Sequence, residues 1–191
     1  RDLVRSRGLG DVYKRQVNNT IPVDVTATYS SPVSPPPYMV GMVEIELDKE
    51  TGAVKILDYQ AVVDCGIPVN PNLARVQTEG GIGQGIGMAL YENVTYNAGG
   101  KIAENDLMQY KIPTRQDVGN INVEFETSYE PSGPFGVKSI GEIVINTPAP
   151  ALAHAIYRAT GVWHRTVPFT PEKILMGMVD PNWHEKDLRV K

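Results

Sequence analysis

The sequence predicts an α+β fold, and three observations carry that prediction. Two β-rich runs flank a tight turn, a long helical stretch with many glycines follows, and the remaining strands and helices interleave without a regular βαβ rhythm. In the first run, residues 39–47, the apolar Val43, Ile45 and Leu47 alternate with Glu44 and Glu46, so one face of that strand meets water. Asp48-Lys49-Glu50-Thr51-Gly52 forms the turn, and residues 54–63 complete a β-hairpin.

A loop, Asp64-Cys65-Gly66-Ile67-Pro68-Val69-Asn70-Pro71, leads from the hairpin into a helix expected to run to about Glu92. Asn70 is placed to cap it, and Pro71 stands at the first helical position, where its missing N–H costs nothing. Gly99-Gly100 marks a further turn, residues 121–127 a further strand, and residues 130–136 a loop rich in proline and glycine. Residues 148–160 read as a helix with Leu152, Ala155, Ile156 and Ala159 on one face, stopped by Gly161. A last short helix is expected over residues 171–178, with a polar tail from Val179 onward. Upstream of the hairpin, residues 17–33 alternate polar and β-branched side chains until Ser34-Pro35-Pro36-Pro37 breaks any regular element.

The composition is that of an ordinary folded domain: 191 residues, 41% hydrophobic and 21% charged. No apolar run approaches the roughly 18 residues a membrane-crossing helix needs. No secretory signal is recognisable in the opening residues, so the cytoplasm is the expected compartment. One cysteine cannot build a disulfide framework or a multi-cysteine metal site. The first sixteen residues differ in character from the rest. They carry a net +3, leaving −7 for the rest of a chain whose total is −4. Asp11-Val12-Tyr13-Lys14-Arg15-Gln16 is what the bases GAT GTG TAT AAG AGA CAG encode, a string resembling a transposon-end sequencing adapter. Residues 1–16 are therefore expected to be a disordered assembly scar, with lost sequence upstream, rather than a basic nucleic-acid arm.

Two stretches carry the chemistry. Within Gln77-Thr78-Glu79-Gly80-Gly81-Ile82-Gly83-Gln84-Gly85-Ile86-Gly87, five glycines fall in eight positions. Each helical glycine costs about 1 kcal/mol relative to alanine, so the set costs roughly 4–5 kcal/mol unless tertiary contacts offset it. Either a second backbone packed very close or a cofactor lying on the helix could do so. Gln77, Gly81, Gln84 and Met88 recur at helical spacing, so the two amides share a face suited to a polar heterocycle. A dinucleotide or phosphate loop is disfavoured because Met88 stands where a third glycine is required, and no G-K-[ST] follows. The second stretch is Lys138-Ser139-Ile140-Gly141-Glu142, which sets one carboxylate after a glycine that lets the backbone turn without steric penalty.

In order, Asp64-Cys65-Gly66 with Asn70-Pro71, the Gln77 to Gly85 helix, Tyr110-Lys111-Ile112-Pro113, Gly141-Glu142 and Thr170-Pro171-Glu172-Lys173-Ile174-Leu175 resemble one known set of motifs. That set belongs to the molybdenum hydroxylases of the xanthine dehydrogenase and aldehyde oxidase type, at the C-terminal end of the molybdopterin-binding subunit. The resemblance spans residues 17–178. It implies that residues 17–180 form the C-terminal part of a molybdopterin-binding domain and residues 181–191 a polar tail. It further implies hydroxylation of a purine, another N-heterocycle or an aldehyde, with water as the oxygen source and Glu142 as the general base. Gln84, Gly141, Ile140, Ser139, Gly83 and Gly85 would then border a molybdenum–molybdopterin cofactor, its cytosine dinucleotide form left open. Iron–sulfur [2Fe–2S] and FAD modules on partner domains or subunits are implied to carry the electrons, in a hetero-oligomer without nucleic acid or membrane. After Glu142 the better-known xanthine enzymes have Pro-Pro, whereas Ile143-Val144-Ile145-Asn146-Thr147-Pro148 stands here, which suits a divergent bacterial branch. A carbon monoxide dehydrogenase or hydroxybenzoyl-CoA reductase type subunit, or a non-catalytic truncated relative, is the alternative.

Other residues are expected to be structural. Cys65 reads as a small buried packing residue, since the resemblance places the metal on the pterin dithiolene. His154, His164 and His184 are too scattered for a zinc triad. Glu79 is open to contact with cofactor-side groups or to a structural i, i+4 pair with Arg75, and Trp163 is expected as a packing anchor.

Overall fold

The computed structural model describes residues 26–28, 30–180 and 183. The expectations for residues 1–16, for the alternating pattern before residue 26 and for nearly all of the tail lie outside the described residues. Residues 1–32 and 33–191 form separate units. In the first, the described residues are exposed and carry no helix or strand. All that follows concerns the second.

The hairpin forms where alternation placed it. Strand β1 (Tyr38–Leu47) pairs antiparallel with β2 (Val54–Asp64). The Asp48 carboxylate closes the turn by accepting from Glu50 N at 2.9 Å and Thr51 Oγ1 at 2.8 Å. The pairing slips by one residue between Glu44 and Ile45, leaving Leu57 without a partner as a β-bulge. Because of that slip, Ile56 and Tyr59, three apart, both turn to the buried face. Strand β3 (Asn120–Glu126) adds to β2 in parallel, with Tyr59 opposite Ile121 and Val63 opposite Phe125. The sheet order is β1-β2-β3, so β2 is central.

The crossover from β2 to the parallel β3 contains helix α1 (Pro71–Leu90). Asn70 Oδ1 accepts from Leu73 N at 3.1 Å, and Pro71 begins the helix, as capping chemistry requires. The helix stops two residues earlier than expected, because the amides of both Tyr91 and Glu92 turn back onto the Gly87 carbonyl. Four elements follow: a 3-10 turn (Pro134–Gly136), α2 (Ile143–Asn146), α3 (Pro148–Thr160) and α4 (Pro171–Val179). Gly161 ends α3 with φ +76, a backbone that favours glycine, and its N–H reaches Tyr157 O at 2.7 Å. No element was expected over residues 143–146, where the α2 turn forms.

Helices α1 and α3 cover one face of the sheet and join one core with it. Tyr59, Ala61 and Val63 of β2 and Val123 of β3 meet Ile82 and Ile86 of α1 and Leu152 and Ile156 of α3. Each large aliphatic side chain buried there contributes about 1.5–3 kcal/mol. Cys65 is buried in this core, as a packing residue should be. Trp163 stacks on Tyr157 at 4.3 Å and meets the His154 ring edge-on at 4.9 Å, so it anchors the end of α3. Arg75 and Glu79 do not pair; Arg ahead of Glu is the weaker order on a helix.

Candidate active site

The α1 glycines divide into two sets by what a side chain would meet. A Cβ on Gly81 would lie 2.1 Å from Val144 Cγ2, and one on Gly85 would lie 2.7 Å from Pro148 Cγ and 3.0 Å from Ile145 O. These two glycines let α2 and the start of α3 pack against the helix. A Cβ on Gly87 would meet Glu92 and Pro113. On Gly80 and Gly83, by contrast, it would meet nothing within 4 Å. Close packing, one of the two offsets considered for the glycine cost, is therefore present at Gly81 and Gly85, while Gly80 and Gly83 present bare backbone to open space.

The open side borders two clefts. The larger, about 750 Å³, is lined by Gln77, Gly80, Gly81 and Gln84 from α1 and by Gly141, Glu142 and the residues that open α2. Gln84 and Glu142, fifty-eight positions apart, thus face one hollow bordered by Gly141. The smaller cleft, about 490 Å³, lies on the other side of Gln84 and is lined by Gly83, Glu92 and residues 112–115. Both volumes fall in the roughly 300–1,000 Å³ range of small-molecule sites. Gln84 belongs to both walls. Its exposed amide can donate and accept toward either side.

Glu142 precedes α2, but its side chain makes no capping hydrogen bond. No cation pairs with its exposed carboxylate among the described residues. Neither a helix cap nor a salt bridge accounts for it, which leaves a free carboxylate at the cleft. Its backbone is held more firmly: Gln77 Nε2 donates to Gly141 O at 3.2 Å, and Ile145 N donates to Glu142 O at 3.2 Å. Gly141 does not use a positive φ, contrary to the turning role expected of it. What its missing Cβ provides is room, because only Ser139 Oγ comes near, at 3.9 Å.

The remaining expected positions are distributed unevenly. Ser139 is exposed, and its Oγ accepts from Gly141 N at 3.4 Å, while Ile140 packs onto the core. Neither lines a cleft wall. Gly83 opens onto the smaller cleft, whereas Gly85 is buried under Pro148. Gln77, which shares its predicted helix face with Gln84, holds the Gly141 carbonyl, and Glu92, which the sequence did not single out, accepts a close hydrogen bond from Tyr110 Oη. That bond holds the Tyr110 hydroxyl above its ordinary pKa. The helical spacing of Gln77 and Gln84 was the available signal for Gln77. Glu92 had none.

A Molybdopterin cofactor-binding domain family model matches residues 3–119 of this chain. The chain belongs to that family. In this molybdopterin-binding domain the match includes Gln84 and the glycine helix and ends before Glu142; it begins within residues 1–16, the segment set apart above as basic. "Probable hypoxanthine oxidase XdhD" of Escherichia coli (strain K12) is 40% identical over 157 residues, 80% of this chain and 16% of that protein. The "6-hydroxypseudooxynicotine dehydrogenase complex subunit gamma" of Paenarthrobacter nicotinovorans is 36% identical over 168 residues, 86% of this chain and 21% of that one. Among solved structures, quinoline 2-oxidoreductase from Pseudomonas putida 86 superposes with a TM-score of 0.68 at 35% identity, covering 72% of this chain and 18% of that one. The chain thus spans about a fifth or less of the length of the relatives it matches. The domain is a molybdopterin-binding piece of the molybdenum hydroxylase family with an α+β fold. No described helix is long and apolar enough to cross a membrane.

Proposed function

We propose that this domain belongs to the catalytic subunit of a molybdenum hydroxylase that oxidises a purine, another N-heterocycle or an aldehyde with oxygen drawn from water, and that Glu142 is its general base. The observation that carries the reading is the shared cleft. There an unpaired carboxylate, the Gln84 amide and the bare backbone of Gly80 meet although the chain holds them far apart.

The donor set fits a pterin-bound molybdenum. Gly80 and Gly83 leave space that any Cβ would fill, so a flat polar group can lie against the helix. Gln77 and Gln84 offer donors and acceptors beside that space. When bound, the cofactor supplies the two-electron redox chemistry that no side chain of this domain can perform. The protein's own residues do the rest. Glu142 takes up the proton of the attacking water, a step for which an unpaired and accessible carboxylate is suited. Gln77, through the Gly141 carbonyl, fixes the peptide from which Glu142 projects. Gln84 orients polar edges on either side of the ridge between the clefts. Iron–sulfur and flavin modules on other domains or subunits would accept the electrons, in a cytoplasmic hetero-oligomer.

Glu142→Gln in the full-length, metal-loaded subunit is the deciding experiment. Assayed against hypoxanthine, quinoline and benzaldehyde with a dye acceptor, the variant is expected to lose about 10²–10⁴-fold in turnover while its molybdenum content stays near normal. Wild-type turnover in that variant sinks the assignment, and a full-length protein devoid of molybdenum favours a non-catalytic relative.

A further inference from the structure

Among residues that line neither cleft, Asp64 and Lys138 form an ion pair that no step above uses. Asp64, the last residue of the central strand β2, meets Lys138 Nζ, and their side chains are only 19% and 7% exposed. The Asp64 carboxylate also accepts from Ser128 Oγ at 2.5 Å and from Gly66 N at 3.1 Å. The Tyr38 ring of β1 stands 5.3 Å from the Lys138 ammonium, so the cation is enclosed by a carboxylate and an aromatic face. Backbone contacts run alongside. Lys138 N donates to Cys65 O at 2.7 Å, Ile67 N donates to Gly136 O at 2.9 Å, and Gly66 bridges Val137. Gly66 has φ +69, and a Cβ there would lie 2.2 Å from Gly136 O, so the Asp64-Cys65-Gly66 turn and the Val137–Lys138 segment fit only at this close approach.

Glu142 stands four residues beyond Lys138. Between them Ser139 and Gly141 are exposed, and only Ile140 reaches the core. Gln77 holds the far end of that segment at the Gly141 carbonyl, and Lys138 holds the near end. We infer that the Asp64–Lys138 pair is a positioning device for Glu142, tying residues 137–141 to the end of the rigid central strand so that the carboxylate enters the cleft at a set depth. The inference rests on the proposal that Glu142 is the base. Both members act through the loop, so they are positioning residues and not catalytic ones. A buried ion pair is poor evidence of stability, since neutral replacements of both partners are often as stable; fixing one arrangement among several is a better-attested use. The need is real, because a misplacement of about 1 Å can lower turnover about 10²-fold.

The test uses the full-length, metal-loaded subunit and the double variant Asp64→Asn with Lys138→Met, which removes both charges and leaves no buried ion without a partner. Hydrogen exchange, thermal melting, molybdenum content and steady-state kinetics are read together, with whichever of hypoxanthine, quinoline or benzaldehyde the wild type oxidises. Melting and molybdenum content are expected to stay near wild type. Peptides covering residues 136–146 are expected to exchange at least about tenfold faster while those covering 148–160 are unchanged, and kcat to fall at least about tenfold with KM within about twofold. Wild-type exchange in 136–146, or wild-type kcat, overturns the inference. So does a fall in molybdenum content that matches the fall in kcat, because the pair would then serve loading. Should Glu142→Gln keep its turnover, the base assignment fails on its own, and the exchange measurement still reports whether the pair tethers the loop.

Discussion

Among the described residues no cation meets the Glu142 carboxylate, and its side chain does not cap α2. Its residue type and its place after Gly141 could be read from the chain. The bond from Gln77 to the Gly141 carbonyl could not, because helical spacing assigns a face and says nothing of a partner sixty-four positions away. Asp64 shows the opposite balance of forces. Burial pushes its carboxyl up, but hydrogen bonds from Lys138, Ser128 and the Gly66 amide outweigh this and hold it below the ordinary 3.8. A depressed carboxylate stabilises the fold fully above its unfolded pKa and loses that contribution as pH falls through the folded value. The gap in melting temperature between wild type and Asp64→Asn is therefore expected to be widest near neutral pH and to close as the pH drops below about 4. A gap that stays constant or widens in acid contradicts the favourable set of hydrogen bonds assigned to Asp64.

Helix α1 concentrates conflicting demands. Its five clustered glycines disfavour helix, yet twenty residues are helical, because Gly81 and Gly85 admit Val144 and Pro148 at distances no side chain would allow. Gly80 and Gly83 receive no such compensation. Gly81→Ala is expected to destabilise the full-length subunit by about 1–3 kcal/mol, since Val144 is fully enclosed and cannot move aside. Gly80→Ala and Gly83→Ala are expected to raise stability by about 0.5–1 kcal/mol through helix propensity while lowering the bound pterin and molybdenum. Denaturant unfolding and metal analysis of the three variants check this. Equal destabilisation in all three would mean that the open glycines are packing residues in the whole subunit. In the linear chain, close packing and cofactor approach stand as alternatives for the whole cluster. Telling the packed glycines from the open ones required the positions of α2 and α3, elements whose approach to α1 is a long-range matter.

Strands β1, β2 and β3 with α1 and α3 form a scaffold whose one open edge of α1 carries both clefts. Since the domain covers only about a fifth of its relatives, the other walls of those clefts are expected from the rest of the subunit. The isolated chain, assayed with the same three substrates, is accordingly expected to show no turnover. Measurable oxidation by the isolated chain would show that the domain is self-sufficient. Local chemistry was enough to read the hairpin, the Asn70 cap, the Gly161 stop, the span of α3 and the ordered motifs that place the chain in its family. Alternation, capping and glycine terminators act over a few residues, and a linear chain displays them openly. The parallel pairing of β3, the α2 turn after Glu142, the split among the glycines and the Asp64–Lys138 pair came from folding in three dimensions. Each depends on groups that meet only after the crossover closes, and sequence separation carries no record of that distance.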